Sequence, residues 1–129
     1  MADADAFLAK AEESLASAED DFAKARYNSC ARNAYYAAFQ AAVAALIGDG
    51  IQPEGRWEHY FVQARLAGIL IRRRKLFPAA FASLLSESFK IRAAADYSAG
   101  FVGQRKVRRI LSTVRDLVKG VRDRNNGDR

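Results

Sequence analysis

A chain of 129 residues, half of them hydrophobic and only two of them proline, is one globular domain by size and composition, not a disordered segment. Its longest apolar run falls short of the roughly 20 residues that span a bilayer, its acidic start (MADADAFLAKAEES) does not read as a signal peptide, and its one cysteine, Cys30, excludes an internal disulfide and points to the cytoplasm. Residues 1–21 hold seven acids against Lys10, leaving 20 basic and 8 acidic residues in the remainder, a bias that either draws an anionic partner or pairs internally with the acidic first segment.

Helix one is predicted over residues 4–24, where Leu8, Ala11, Leu15, Ala18 and Phe22 step by three and four along a narrow seam. Helix two, 26–48, organises the chain. From Ala34 to Ile47 its one polar residue is Gln40. Tyr36, Phe39, Val43 and Leu46 form one stripe, and Ala34, Ala41 and Ala45 belong to a second, flat enough for a close neighbour. A helix apolar on nearly every side must be covered on nearly every side. Its N-terminal half carries Arg32, Tyr35 and Tyr36. Gly48-Asp49-Gly50 is a stop signal, and Pro53 and Gly55 break the loop that follows.

Helix three is expected over 56–73, ending in the basic run Arg72-Arg73-Arg74-Lys75. Such a run suits the negative pole of a helix; a phosphate site is the competing reading. Helix four is expected over 78–96, with Pro78 in its first turn and Phe81, Leu85, Ser88, Arg92 and Ala95 on one line. Helix five is expected over 104–122: Val107, Ile110, Val114, Leu117 and Val121 alternate steps of three and four, and Arg105, Arg108, Arg109, Arg115, Lys119 and Arg122 occupy the other face. Residues 123–129 are expected to fray. The fold class is all-α, an antiparallel up-and-down bundle of four to five helices in a single domain with a core of about 4–122.

Few residues suggest chemistry. His59 is the only histidine and Cys30 the only cysteine, so a metal site is not expected. No cofactor is implied, since no glycine-rich phosphate loop follows a strand. His59, near a helix start, reads more readily as structural than as catalytic. The one notable polar cluster is Ile91-Arg92-Ala93-Ala94-Ala95-Asp96-Tyr97. Asp96 lies four residues after Arg92, within reach of its guanidinium. The pair is either an ordinary ion pair with Tyr97 closing the helix, or a guanidinium held by a carboxylate and presented to a phosphate.

Two segments, Arg32-Asn33-Ala34-Tyr35-Tyr36-Ala37-Ala38-Phe39 and Phe89-Lys90-Ile91-Arg92-Ala93-Ala94-Ala95-Asp96-Tyr97, resemble the HEPN domain family, and the resemblance runs over nearly the whole chain. It implies a helical bundle that is usually a homodimer and commonly pairs with a minimal nucleotidyltransferase, in many cases as toxin and antitoxin. Active members are metal-independent ribonucleases whose motif is an Arg, often followed by a polar residue, and a His after four to six intervening residues. Arg92 matches that Arg. Ala93 replaces the polar residue, and Tyr97, Ser98 and Ala99 stand where the His belongs. A phenol with an ordinary pKa near 10 is a poor general base.

The resemblance therefore implies a nucleotide- or RNA-associated binding subunit of a nucleotidyltransferase pair, with Arg92, Tyr97, Arg32 and Tyr36 as the contact residues. The alternatives are a ribonuclease toxin with a degenerate motif, in which Arg92, Asp96 and Tyr97 are the candidate catalytic groups, and a purely structural interaction protein. No membrane association is expected.

Overall fold

The computed structural model describes residues 2–127. Helices make up 79% of it, and no strand occurs among the described residues, which is the expected all-α bundle. The helices are α1 (Ala2–Ala23), α2 (Tyr27–Gly48), α3 (His59–Arg65), α4 (Leu84–Tyr97) and α5 (Gln104–Gly127). No helix among the described residues is long and apolar enough to cross a membrane.

The apolar character of α2 dictates the arrangement. Thirteen of its residues, from Cys30 to Ile47, are buried, because α1, α4 and α5 all pack on it. Asn33 meets Asp21 and Gln40 meets Ser14, so α1 and α2 are antiparallel. Arg32 reaching Asp96 makes α2 and α4 antiparallel. Asn28 near Val102 and Ala44 near Asn125 show that α5 runs parallel to α2. The four long helices thus run up, down, up, down. Gln40 is satisfied with its amide nitrogen facing the carbonyls of Lys10 at 3.0 Å and Tyr36 at 3.1 Å.

The fifth helix departs from the antiparallel expectation. The Tyr35 hydroxyl meets His59 and Asp49 pairs with Arg74, so α3 descends alongside α2 in the same direction. Residues 49–58 must therefore climb back up the bundle, and α3 begins at His59 rather than near residue 56. Beyond Arg65 the helix widens to a π-helix over Leu66–Arg73, with Arg74 N–H donating to the Ile69 carbonyl five residues back. It stops at Lys75, in the left-handed region at φ 53.

Helix four also begins later than Pro78 suggested. Pro78 has ψ 148, an extended value, so it precedes a 3₁₀ turn at Ala79–Phe81 and α4 starts only at Leu84. Buried Phe77 and Phe81 fill this corner. At the other end of the chain, α5 continues past Arg122 to Gly127. Asn125 is buried and its amide donates to the Ala44 carbonyl at 3.4 Å. A methyl at Gly48 would stand 2.8 Å from Asn125 Oδ1, so the α2 terminus and this last turn are fitted to each other. Fraying is therefore not seen over 123–127; Asp128 and Arg129 lie outside the described residues.

The turn between α1 and α2 is tied by a buried carboxylate. Asp21 accepts from Ser29 Oγ at 2.7 Å, Asn33 Nδ2 at 2.9 Å and Arg26 Nε at 2.9 Å. Burial pushes its pKa up, but these three hydrogen bonds outweigh burial and hold it below the ordinary value. Its stabilisation is then present above the unfolded carboxylate pKa and is lost as pH falls through the folded one. Asp21→Ala is expected to cost about 2 kcal/mol near neutral pH. Urea unfolding followed across pH checks this: the gap between wild type and variant should shrink below about pH 4.

Candidate functional site

The N-terminal half of α2 is where its apolar surface gives way to polar groups, and α4 runs across it. Residues 32, 35 and 36 of α2 share a face by helical spacing, as do 89, 92 and 96 of α4. The antiparallel packing brings the two sets together, and α3 adds His59.

Arg92 sits at the centre. Its guanidinium carbon lies 5.1 Å from the Tyr35 ring centroid, 5.3 Å from Phe89 and 5.9 Å from Tyr36. Each aromatic face attracts the cation by about 0.5–2 kcal/mol, so the side chain is held in place without consuming its hydrogen-bond donors. The expected Arg92–Asp96 pair is present, but its Nε–Oδ2 separation is 3.9 Å, too long for a hydrogen bond. Arg92 Nε is buried with no hydrogen-bond partner among the described residues. The Asp96 hydrogen bond goes instead to Arg32, whose Nη1 donates to Oδ1 at 3.1 Å. Two guanidinium groups thus share one carboxylate, and the cluster keeps an excess positive charge with donors to spare. The Arg92 side chain remains 22% exposed and Arg32 39%, so an anion can reach them.

Tyr35 and Tyr36, adjacent in sequence, have different roles. Tyr35 is buried and contacts Tyr36, Phe39, His59 and Phe89. Burial raises its pKa against the opposing charge of Arg92, so the phenol stays protonated. Tyr36 is at the rim, 41% exposed. Tyr97 stands apart: it is 83% exposed, and five residues of helix rotate it about 140° around α4 from Arg92. The structure therefore brings Arg92, Asp96, Arg32 and Tyr36 together and leaves Tyr97 at the end of the helix.

His59, set aside in the sequence, joins this cluster. Its Nδ1 lies 2.9 Å from the Tyr35 hydroxyl and its ring stacks on Phe89 at 4.3 Å. Imidazole and guanidinium thus surround the same two rings, Tyr35 and Phe89. Burial first, and the charge of Arg92 second, lower the His59 pKa, so the ring is neutral at pH 7. Only one nitrogen of a neutral imidazole carries a proton. Where Nδ1–H donates to Tyr35, Nε2 is left as a base. No sequence motif marks His59, because it reaches Arg92 through the fold of the 49–58 loop. Cys30 is a different case: burial, then the Asp21 charge, push its thiol up to about 12, so it is an inert core residue.

A family model for the HEPN domain matches residues 4–124. Comparison with curated protein sequences returns no match.

Because the chain has one histidine, its titration is readable without assignment. The His59 midpoint, followed by proton–carbon NMR, is expected below the ordinary histidine value. Arg92→Met removes one of the two causes and should move it upward, but not the whole way, since burial is the larger. An unmoved midpoint would show that the Arg92 charge does not act on His59.

Proposed function

The chain belongs to the HEPN domain family, which gives it a nucleotide- or RNA-related role, and on that premise we propose that it binds the phosphates of nucleotide or RNA in the cleft between α2 and α4, as the partner subunit of a nucleotidyltransferase in a toxin–antitoxin-type pair. One observation carries the reading: Arg92 and Arg32 converge on the single carboxylate of Asp96, and only Arg32 is within hydrogen-bond distance of it. A guanidinium fixed by aromatic faces and short of acceptors suits a phosphate oxygen, which can take two parallel N–H bonds. Tyr36 stands at the rim, available to stack on a base. Tyr97 stands outside the cleft at the end of α4, so any contact from it falls to a ligand that extends past Arg92 and Asp96.

The assembly we propose is a cytoplasmic homodimer, two-fold symmetric as is commonest for such pairs, with the ends of α2 and α4 around Arg32 and Arg92 turned toward the dimer cleft.

A metal-independent ribonuclease is the second reading, and His59 favours it. A neutral Nε2 in contact with RNA would take the proton of a 2′-hydroxyl, the 2′-oxygen would attack the adjacent phosphorus, and the 5′-oxygen would leave, while Arg92 neutralised the phosphate. The imidazole in this scheme comes from α3 and not from the position after Arg92.

Titration of labelled RNA and of ATP at two salt concentrations separates the readings. Arg92→Ala is expected to weaken binding on the order of tenfold or more, Arg32→Ala and Tyr97→Ala by less, and added salt should weaken the wild type. Equal affinities for wild type and Arg92→Ala would return the cluster to an ordinary ion pair. Rapid cleavage that resists EDTA and is lost in both Arg92→Ala and His59→Ala would instead establish the ribonuclease.

A further inference from the structure

A second feature lies on the opposite side of α4 from Arg92. Lys90 and Ala94 point away from the Arg92–Asp96 face, and between them, the loop after Tyr97 and the start of α5 is an open groove of about 660 Å³. Its floor is aliphatic: Ile91, Ala94 and Val102. At its edge stands Phe101, 88% exposed, a large apolar side chain on the surface with nothing in the described chain covering it. Its rim is cationic. Arg105 and Lys106 form no ion pair or side-chain hydrogen bond with any described residue, whereas Arg109 is held by Glu87 at 3.0 Å and Lys90 feels the Glu87 charge without a hydrogen bond to it. Among the described residues, no carboxylate lines the groove. The first turn of α5 contains no acid either, so Arg105 and Lys106 stand unopposed near the positive pole of their own helix.

We infer that this groove receives an acidic, apolar-anchored segment of a protein partner. The chemistry of the two layers argues for it. The aliphatic floor and Phe101 supply a seat for one or two apolar side chains, and the cations of the rim, Arg105 and Lys106 above all, meet the carboxylates flanking them. Phosphates would satisfy the same cations, but a nucleic-acid strand needs successive flat rings to stack on. Phe101 is the only aromatic residue among the described residues lining the groove, and the aliphatic floor offers a base no comparable face. The inference does not depend on the phosphate reading of the Arg92 cleft, which lies on the other side of α4.

The test uses the full chain and a fluorescein-labelled helical peptide with leucines spaced three and four apart and glutamate elsewhere. Its controls are a scrambled peptide of the same composition, a version with lysine for glutamate, and labelled oligouridylate. The acidic amphipathic peptide is expected to bind and the lysine version not to. Phe101→Ala should weaken the peptide about tenfold, and the double variant Arg105→Glu, Lys106→Glu at least as much. These side chains are exposed, so melting temperatures no lower than wild type are expected and verify folding, with the double variant free to rise because acids suit the first turn of α5. Phe101→Ala should leave oligouridylate affinity unchanged, while Arg92→Ala should leave peptide affinity unchanged, so failure of one site is distinguishable from failure of the other. Absence of saturable binding by the acidic peptide, or binding indifferent to Phe101→Ala, overturns the inference. Loss of oligouridylate but not peptide binding on Phe101→Ala assigns the groove to nucleic acid instead.

Discussion

The bundle depends on covering one helix. Because α2 is apolar from Ala34 to Ile47 on almost every side, three long helices must surround it, and α1, α4 and α5 all do. That requirement also fixes where polar chemistry can stand. A buried rod has no use for charge along its length, since an unpaired buried charge costs several kcal/mol. Arg32, Asn33, Tyr35 and Tyr36 are therefore confined to the end of α2 where α4 terminates and water is near. Two separate polar centres result. Asn33 turns to Asp21 and locks the α1–α2 turn, and Arg32 turns to Asp96 and joins the α4 cluster.

The electrostatics of these two centres differ in a way that separates scaffold from site. Asp21 is fully engaged by three donors, and its surroundings leave no charge in excess. Asp96 is shared between two guanidinium groups and accepts its hydrogen bond from Arg32. Arg92 is held by rings, which position a cation without neutralising it. Holding a guanidinium mainly by aromatic faces keeps its charge and its hydrogen-bond capacity for something else. An ion pair formed only for stability would be expected to close its hydrogen bonds, as Asp21 does.

Much of this was legible in the sequence, and the parts that were not share a physical reason. The strict alternation of Val107, Ile110, Val114, Leu117 and Val121 located α5, and the near-continuous apolar run located α2, because burial is written directly into helical period. Pro78 misled because the first-turn preference of proline says nothing about ψ, and ψ 148 placed it before a 3₁₀ turn. The polar end of α5 looked frayed because the partner of Asn125 is the carbonyl of Ala44, a backbone atom with no signature in the sequence. The π-turn in 66–73 leaves the same residues apolar and shifts only the hydrogen bonding. His59 read as structural for the most consequential reason: 33 positions separate it from Arg92, and only the return of the 49–58 loop makes them neighbours.

That loop also bears on which chemistry this end of the bundle can perform. A histidine within the Arg92 helix would be placed by local helical geometry, and its distance from the guanidinium would be nearly fixed. His59 is placed instead by two tertiary contacts, the Tyr35 hydroxyl and the face of Phe89, with the edge of its chain neighbour Tyr60 against the ring. Two of these rings, Tyr35 and Phe89, are the same ones that hold Arg92. The imidazole and the guanidinium are thus coupled through a shared aromatic support rather than through the backbone. A change at Tyr35 or Phe89 displaces both at once, whereas a change at Asp96 acts on Arg92 and Arg32 and reaches His59 only through charge. In this fold the aromatic pair, more than the carboxylate, decides whether the cluster exists as a unit.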